Sequence, residues 1–253
     1  MPGEHAKLSA SSAQRWLVCT AAPTLEAQFP DTTSPYAAEG TKAHELAELY
    51  TRSYLEGDCT DAMLDQAEKI NADSEMVDTA VDYSKLVFNR RERAFSRCTD
   101  PFVALEQRVD FSEWVPEGFG TADCIIIADG MMDVIDFKYG KGVRVEAENN
   151  WQMILYALGA YHEYGMLYKI DEIRMTVFQP RMSDEPSNWE TDIDTLLTWA
   201  NDYIKPQAIE AYHGPGKFVP GEDQCRFCRA AAQCRARANE MLALFDEASL
   251  AER

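Results

Sequence analysis

The sequence predicts a mixed α/β (α+β) fold in which helices flank a central mixed β-sheet. The β-rich segments 124–128 and 132–137 flank Asp129-Gly130, a strong signal for a two-residue β-hairpin turn. Apolar periodicity along the rest of the chain gives the core order helix, strand, strand, strand, helix, strand. Both faces of the predicted hairpin are apolar, so we expect it to lie inside the sheet rather than at an edge.

The remaining elements follow from local patterns taken in chain order. The serine-rich start of segment 8–19 predicts a capped short helix, 39–55 has helical composition, and 61–95 reads as one long charged helix. Segment 102–109 is a predicted strand. After the hairpin we expect a helix over 150–164, a strand over 172–179, a helix over 192–212 kinked at Pro206, and a last helix near 230–245.

The hairpin carries charges that its apolar surroundings do not explain. A type I′ turn at Asp129-Gly130 places Asp123 directly opposite Asp136, and Lys138 shares the face of Asp136 because strand side chains alternate. Directly opposed carboxylates repel unless a cation such as Mg²⁺ compensates them. In the alternative interpretation, one aspartate is a solvated residue paired with Lys138. A register slip of one residue would also separate the pair.

Composition bounds the class of protein. The chain has 253 residues and a net charge of −19, which argues against nucleic-acid binding by bulk electrostatics but not against a local basic channel. No apolar run is long enough for a membrane span, and the N-terminus lacks a signal-peptide pattern. We therefore expect a cytoplasmic protein with no membrane partner.

Basic residues fall into three groups, each of which is most simply a solvated face. The second group begins within the proposed metal site, and its glycines allow close backbone approach. The groups are Arg90, Arg91, Arg93 and Arg97; Lys138, Lys141 and Arg144; and Arg226, Arg229, Arg235 and Arg237.

The seven cysteines are distributed unevenly. Cys225, Cys228 and Cys234 form a Cys-x2-Cys-x5-Cys cluster, and Cys19 lies alone near the N-terminus. In a cytoplasmic chain such a cluster favours metal or redox chemistry over disulfides. Four thiolates suit either an iron–sulfur cluster or Zn²⁺, and spacing alone does not decide between them.

Several motifs together resemble the PD-(D/E)XK nuclease superfamily, in particular its RecB-like branch. Asp136-Phe-Lys138 resembles the D-x-K signature, and Asp123 in Gly-Thr-Ala-Asp resembles the preceding metal-binding aspartate. Gly40-Thr-Lys-Ala-His44 resembles the helix histidine motif of that branch, and Gln152-Met-Ile-Leu-Tyr156 resembles its Q-x-x-x-Y motif. The predicted element order is also that of the superfamily core.

The cysteine arrangement resembles the four-cysteine iron–sulfur framework of AddB-type and CRISPR-associated exonucleases. Phage and prophage proteins of unknown function, often found beside single-strand annealing proteins, are similar along almost the whole length. The resemblance implies a single nuclease domain over 1–253, in which 1–38 and 214–253 form a cluster-binding part around a 39–213 nuclease core.

The resemblance also implies roles for individual residues. His44, Asp123 and Asp136 would bind Mg²⁺ or Mn²⁺, and Lys138 would position or deprotonate the attacking water. Gln152 and Tyr156 would orient DNA or the lysine, and Glu106 is either an outer metal contact or a surface residue. The four cysteines would hold a structural [4Fe–4S] cluster rather than Zn²⁺ and clip the chain ends together. Lys141, Arg144, Arg226 and Arg229 are candidate DNA contacts.

The expected function is a metal-dependent DNA exonuclease for recombination or end processing, supplying single strands to an annealing partner. One alternative is a nuclease-fold module that binds DNA or protein without cutting. Another is a zinc-stabilised adaptor with no nucleic-acid role, which requires the hairpin geometry to be accidental. Strand preference, polarity and oligomeric state have no signature in the sequence.

Overall fold

The computed structural model describes residues 6–30, 35–57 and 61–251. The described helices are, in chain order, α1 (Ala13–Trp16), α2 (Ala22–Glu26), α3 (Pro35–Glu56), α4 (Asp61–Lys69), α5 (Ser74–Ala94), α6 (Trp151–Tyr164), α7 (Ile193–Trp199), α8 (Lys205–His213), α9 (Glu222–Arg226) and α10 (Arg235–Ala251). The strands are β1 (Phe102–Asp110), β2 (Phe119–Ala128), β3 (Gly130–Phe137), β4 (Ile170–Phe178) and β5 (Ser187–Asp192). Within this described part, no helix combines the length and the apolar character needed to cross a bilayer.

The chain divides into two compact units. The terminal unit comprises Met1–Thr32, Phe111–Phe119 and Thr198–Arg253, and the sheet unit comprises Thr33–Asp110 and Gly120–Leu197. The sheet unit holds a five-stranded sheet in the order β1-β2-β3-β4-β5. Strands β2 and β3 pair antiparallel, β3 and β4 parallel, and β4 and β5 antiparallel, so the sheet is mixed as the sequence predicts.

Helices cover both faces of this sheet. On one face, α3 presents apolar residues at helical spacing (Ala43, Leu46, Ala47, Tyr50), and α5 does the same (Met76, Ala80, Tyr83, Val87). They pack on the β2 and β3 residues Cys124, Ile126, Ile135 and Phe137. Fully burying one such side chain contributes about 1.5–3 kcal/mol. Both faces of the hairpin are buried, which confirms its internal position.

Helix α6 connects the parallel strands β3 and β4 and packs on β1, β3 and β4. Its N-cap is Asn150, whose side chain accepts hydrogen bonds from the backbone N–H groups of Gln152 and Met153. A Cβ added to Gly159 would lie 2.9 Å from the Cβ of Val109 on β1. Glycine at this position therefore allows the helix to approach the sheet closely.

The hairpin register is the predicted one, but the turn type is not. Cys124 pairs with Ile135 and Ala128 with Met131, leaving Asp129-Gly130 as a two-residue turn. Gly130 has a φ of 79°, whereas Asp129 is not among the residues of positive φ. A type I′ turn needs positive φ at both positions, so that prediction is wrong. The register of β2 and β3 depends on the number of turn residues, so it is the same with the observed turn type.

Several helix boundaries also differ from the predictions. The predicted 61–95 helix is two helices, because Asn71 takes a φ of 53° and Asp73 caps α5 by accepting from the Met76 N–H at 2.8 Å. The predicted 192–212 helix contains a π-helical segment, Ala200–Ile204, immediately before α8, whose first turn contains Pro206. A missing proline N–H and ring clash explain this irregular turn.

The short ends of the chain are less regular than predicted. Segment 8–19 holds a 3₁₀ turn, Ala10–Ser12, followed by the single-turn α1. The C-terminal helix begins at Arg235 rather than near 230, because Ala231–Gln233 is a 3₁₀ turn and Cys234 has extended backbone. Strand β5 was not predicted from the sequence.

Candidate metal centre

The ends of β2 and β3 bring two carboxylates together in the sheet unit. Asp123 and Asp136 lie one residue beyond Cys124–Ile135, the last pair of the register, and both are buried. Asp123 Oδ2 accepts a hydrogen bond of 2.6 Å from the backbone N–H of Phe137. This bond fixes the Asp123 carboxylate and leaves Oδ1 for other partners.

Helix α3 and strand β1 add two more potential ligands beside Asp123. His44 Nδ1 lies 3.4 Å from Asp123 Oδ1 and 4.0 Å from Glu106 Oε1. One ligand atom from each of His44, Glu106 and Asp123 lies within 4.8 Å of the others. This spacing is close enough for one cation to bridge all three side chains after small rotations.

Glu106 reaches this group through an unusual backbone conformation. It lies inside β1 yet has a φ of 49°, in the left-handed region that non-glycine residues rarely adopt. Such strain is concentrated at functional sites because the surrounding structure must stabilise it. The sequence left Glu106 open as either an outer contact or a surface residue, and the structure places it among the potential ligands.

Lys138 and the first turn of α6 surround Asp136. The Lys138 ammonium nitrogen lies 3.0 Å from Asp136 Oδ1 and 2.8 Å from Oδ2. The Gln152 side-chain amide donates to Asp136 Oδ1 at 3.3 Å and to the Tyr156 hydroxyl at 3.0 Å. Contacts therefore link four of the five residues that the sequence proposed as catalytic, namely Asp136, Lys138, Gln152 and Tyr156. The fifth, Asp123, contacts the backbone N–H that lies between Asp136 and Lys138.

Burial and the excess of negative charge in the site shift the pKa values of its residues. Burial, reinforced by Asp123, raises the pKa of Glu106 to about 7. Burial also raises the pKa of Asp136, although Lys138 opposes the shift. Burial alone would lower the pKa of His44, but the Asp123 carboxylate outweighs it and raises that pKa. For Lys138 the effect of burial is likewise outweighed, by Asp136 and Asp123, so its pKa is raised.

The donor set fits a divalent cation. Carboxylate oxygens and one imidazole nitrogen suit Mg²⁺ or Mn²⁺. Asp136 Oδ2 is buried and accepts no hydrogen bond of good geometry, although Lys138 lies beside it. A buried carboxylate oxygen without such a bond needs another cationic partner. His44, Glu106, Asp123 and Asp136 are the residues that would hold it.

The four cysteines belong to the terminal unit. Cys19, Cys225, Cys228 and Cys234 line one pocket, so residues distant in sequence meet there. The Val219 N–H donates to Cys19 Sγ at 3.5 Å. No three of these sulfurs lie within 4.8 Å of one another, as judged on the described residues.

The candidate DNA-contacting residues are exposed, and three of them lie near carboxylates of the protein. Lys141 lies 3.9 Å from Glu75, and Arg144 pairs with Glu146; both belong to the segment that follows Lys138. In the terminal unit, Arg226 pairs with Glu222, and the Arg229 N–H donates to Glu26. The structure therefore places Lys141 and Arg144 on the segment leaving the metal centre, and Arg226 and Arg229 beside the cysteine pocket.

Two solved exonuclease structures are similar to this chain at low identity. A provisionally assigned exonuclease from Eubacterium rectale is 14% identical, with 90% of this chain and 88% of that chain covered and a TM-score of 0.41. An alkaline exonuclease from Laribacter hongkongensis is 11% identical, with 51% and 66% covered and a TM-score of 0.30.

A sequence model of one protein family matches residues 5–252. The match spans nearly the whole chain, so it includes both the metal-centre residues and the four cysteines. The chain belongs to the family DUF2800, described as a protein of unknown function.

Proposed function

We propose that the protein is a divalent-metal-dependent nuclease that hydrolyses phosphodiester bonds in DNA. The observation that carries this proposal is the convergence of His44, Glu106 and Asp123 within 4.8 Å, with Asp136 and Lys138 in contact beside them. A cation-binding carboxylate cluster with one adjacent ammonium group is the arrangement that phosphate-ester hydrolysis requires.

Each residue has a distinct task in this proposal. Bound Mg²⁺ or Mn²⁺ would supply Lewis-acid polarisation of the scissile phosphate. Lys138, held by Asp136, offers its ammonium group to the attacking water and to the charge that develops on the phosphate oxygens. Gln152 holds Asp136 in orientation through its amide, and Tyr156 in turn accepts from that amide.

The finer proposal is an exonuclease of the RecB-like PD-(D/E)XK type that acts in recombination or DNA end processing. Its motif set and the order of its core elements support this. A phage or prophage origin and a single-strand annealing partner that receives the processed strand belong to the same proposal. The alternative is a nuclease-fold module that binds DNA or protein without cutting it.

We further propose a [4Fe–4S] cluster on Cys19, Cys225, Cys228 and Cys234. Their shared pocket supports a common ligand. The resemblance of their spacing to the four-cysteine frameworks of iron–sulfur nucleases is the reason to prefer the cluster to a zinc ion. Such a cluster would tie residue 19 to the 225–234 segment. Anaerobic purification followed by iron, sulfide and zinc analysis tests this, and stoichiometric zinc without iron would overturn it.

The nuclease proposal is tested with end-labelled linear duplex, single-stranded and closed circular DNA in Mn²⁺ and in Mg²⁺. The wild-type protein is compared with Lys138→Ala and with Lys85→Ala, which removes an exposed lysine paired with Asp82 on α5. We expect degradation of linear DNA that Lys138→Ala abolishes and Lys85→Ala leaves unchanged. Binding without cleavage would favour the non-cutting alternative, and cleavage unaffected by Lys138→Ala would overturn the assigned site.

A further inference from the structure

The segment between β3 and α6 is long and has no helix or strand of its own. Residues 138–150 form this loop, and it begins with Lys138 of the metal centre. Irregular loops of this length in compact domains are most often functional. Its outer part, residues 140–144, is exposed and carries Lys141 and Arg144.

One buried side chain fastens the loop from beneath. The Gln179 amide nitrogen donates to the carbonyl oxygens of Gly140 at 2.6 Å and Val143 at 2.9 Å. Its amide oxygen accepts from the Val145 N–H at 2.9 Å. Gln179 is only 6% exposed, and these three bonds use both of its donors and one acceptor site.

The position of Gln179 ties the loop to the active-site strand. Gln179 directly follows β4, and β4 is the parallel neighbour of β3. The Lys138 N–H continues that pairing by donating to the Phe178 carbonyl at 2.8 Å. Lys138 and Gln179 therefore leave the sheet side by side, so the loop is fixed relative to the metal centre.

Arg181 clamps the first part of the same loop. Its guanidinium lies 4.2 Å from the Tyr139 ring centroid and donates to the Tyr139 carbonyl at 3.3 Å. It also donates to Glu75 on α5 at 2.8 Å and to Glu39 on α3 at 3.5 Å. The loop is thus held against two helices as well as against β4.

We propose that Gln179 is a positioning residue that holds the 140–145 loop as a preformed contact for the phosphate backbone of the nucleic-acid substrate, through Lys141 and Arg144. This inference rests on the proposed nuclease function. With a chain net charge of −19, phosphate binding depends on local cations held at fixed positions. A loop fixed before binding loses less conformational entropy when DNA docks.

The first test needs no DNA. Trypsin cleaves after lysine and arginine, so a released loop exposes Lys141 and Arg144 to cutting. Gln179→Leu keeps the side-chain volume close while removing all three hydrogen bonds, and we expect it to speed cleavage at those two sites severalfold. Gln179→Glu sets a carboxylate oxygen against the carbonyl oxygens of Gly140 and Val143, so it should speed cleavage at least as much. Equal cleavage rates in wild type and Gln179→Leu would overturn the inference.

The second test measures DNA binding by fluorescence anisotropy without divalent metal, as a function of salt. Losing two phosphate contacts reduces the slope of log K against log salt by up to about 1.8 and weakens binding roughly tenfold. We expect Gln179→Leu and the double variant Lys141→Ala/Arg144→Ala to show similar losses. Lys169→Ala, an exposed lysine paired with Asp171, serves as the control that leaves the slope unchanged.

A double-mutant cycle separates positioning from general destabilisation. If Gln179 acts through the loop cations, adding Gln179→Leu to Lys141→Ala/Arg144→Ala causes little further loss of affinity. Fully additive losses would overturn the inference while leaving the nuclease proposal intact. A wild-type protein that neither binds nor cuts DNA would instead overturn both the nuclease function and this assignment, while trypsin still reports on the hydrogen bonds.

Discussion

Strand β3 buries two aspartates three residues apart, and their surroundings are opposite. Asp133 is 5% exposed and Asp136 is 2% exposed, and burial raises the pKa of both. Asp133 lies between two arginines, 3.6 Å from Arg90 and 3.3 Å from Arg174. The Thr176 hydroxyl donates to its other oxygen at 3.3 Å. The protein therefore supplies this carboxylate with two cationic partners and a hydroxyl donor.

Among the residues that the structure describes, Lys138 is the one cation in contact with Asp136, while the carboxylate of Asp123 adds to the negative charge there. Glu106 adds a further acidic group beside Asp123. Burial alone therefore does not distinguish a structural carboxylate from a functional one. The distinction lies in whether the protein supplies the compensating positive charge or leaves it to a ligand.

The largest expected effect comes from removing the incompletely compensated charge. Asp136→Asn should reduce DNA cleavage by at least about 10³-fold, because the site loses a cation ligand and the partner of Lys138. The metal-free protein should be as stable as wild type or more so, because a repulsive charge opposite Asp123 is gone. Initial cleavage rates and thermal melting in EDTA measure both. Retained cleavage would contradict the site.

Asp133→Asn should show the reverse pattern. Removing one partner of a buried ion pair leaves Arg90 and Arg174 facing each other, which costs about 3–5 kcal/mol of unfolding free energy. Urea unfolding of the metal-free protein measures the loss. A second substitution, Arg90→Met, should restore part of it, whereas a loss below about 1 kcal/mol would show that the two aspartates are equivalent.

Glu106→Gln should sharpen the comparison through pH. With a pKa of about 7 in the folded protein against an ordinary 4.5, Glu106 contributes stability at low pH that is lost as pH rises from about 4.5 through about 7. In EDTA the variant should match wild type near pH 4 and exceed it by up to about 3 kcal/mol above pH 7.5. Thermal melts across this range provide the measurement.

When metal is present, Glu106→Gln should have the opposite effect on the stability of the folded protein. Metal binding requires the ionised carboxylate, so Mn²⁺ should stabilise wild type more at pH 8 than at pH 6. Glu106→Gln should reduce that stabilisation at pH 8. A stabilisation by Mn²⁺ that is the same in both proteins would remove Glu106 from the ligand set.

The smallest effect is expected at Tyr156. Tyr156→Phe removes the hydroxyl that accepts from the Gln152 amide, a bond worth about 0.5–1.5 kcal/mol. The kcat/KM for DNA should fall by less than about tenfold. Combining it with Gln152→Leu should cost no more than Gln152→Leu alone, since the two side chains act as one unit. A loss in Tyr156→Phe comparable to that of Asp136→Asn would assign Tyr156 a direct chemical role.

The sequence predicted the part of the site that depends on one local pattern. Alternation along two short strands and a two-residue turn determine that Asp123 faces Asp136 and that Lys138 lies beside it. The turn type was wrong without consequence, since strand pairing depends on the number of turn residues. His44 and Gln152 were identified by family resemblance, because their approach depends on how α3 and α6 pack.

The rest depends on interactions between distant segments. Glu106 reaches the site through a positive φ that no pattern of residue types specifies. Asp133 pairs with Arg90 on α5 and with Arg174 on β4. These partners are distant in sequence, so no local pattern predicted the ion pairs. Strand β5 is short and polar, and it becomes a strand by pairing with the exposed edge of β4.

The two carboxylate oxygens of Asp123 have different partners. Oδ2 takes the place of a backbone acceptor for the Phe137 N–H, while Oδ1 faces His44. A relative that has lost the activity would still need an acceptor at position 123 to complete the hairpin, and Lys138 would still balance the buried Asp136. His44 has contacts mainly with the carboxylates of the site and with the Phe137 ring. Evolutionary loss of the site should therefore begin at the histidine, so a retained Asp123 in a relative is weak evidence of activity.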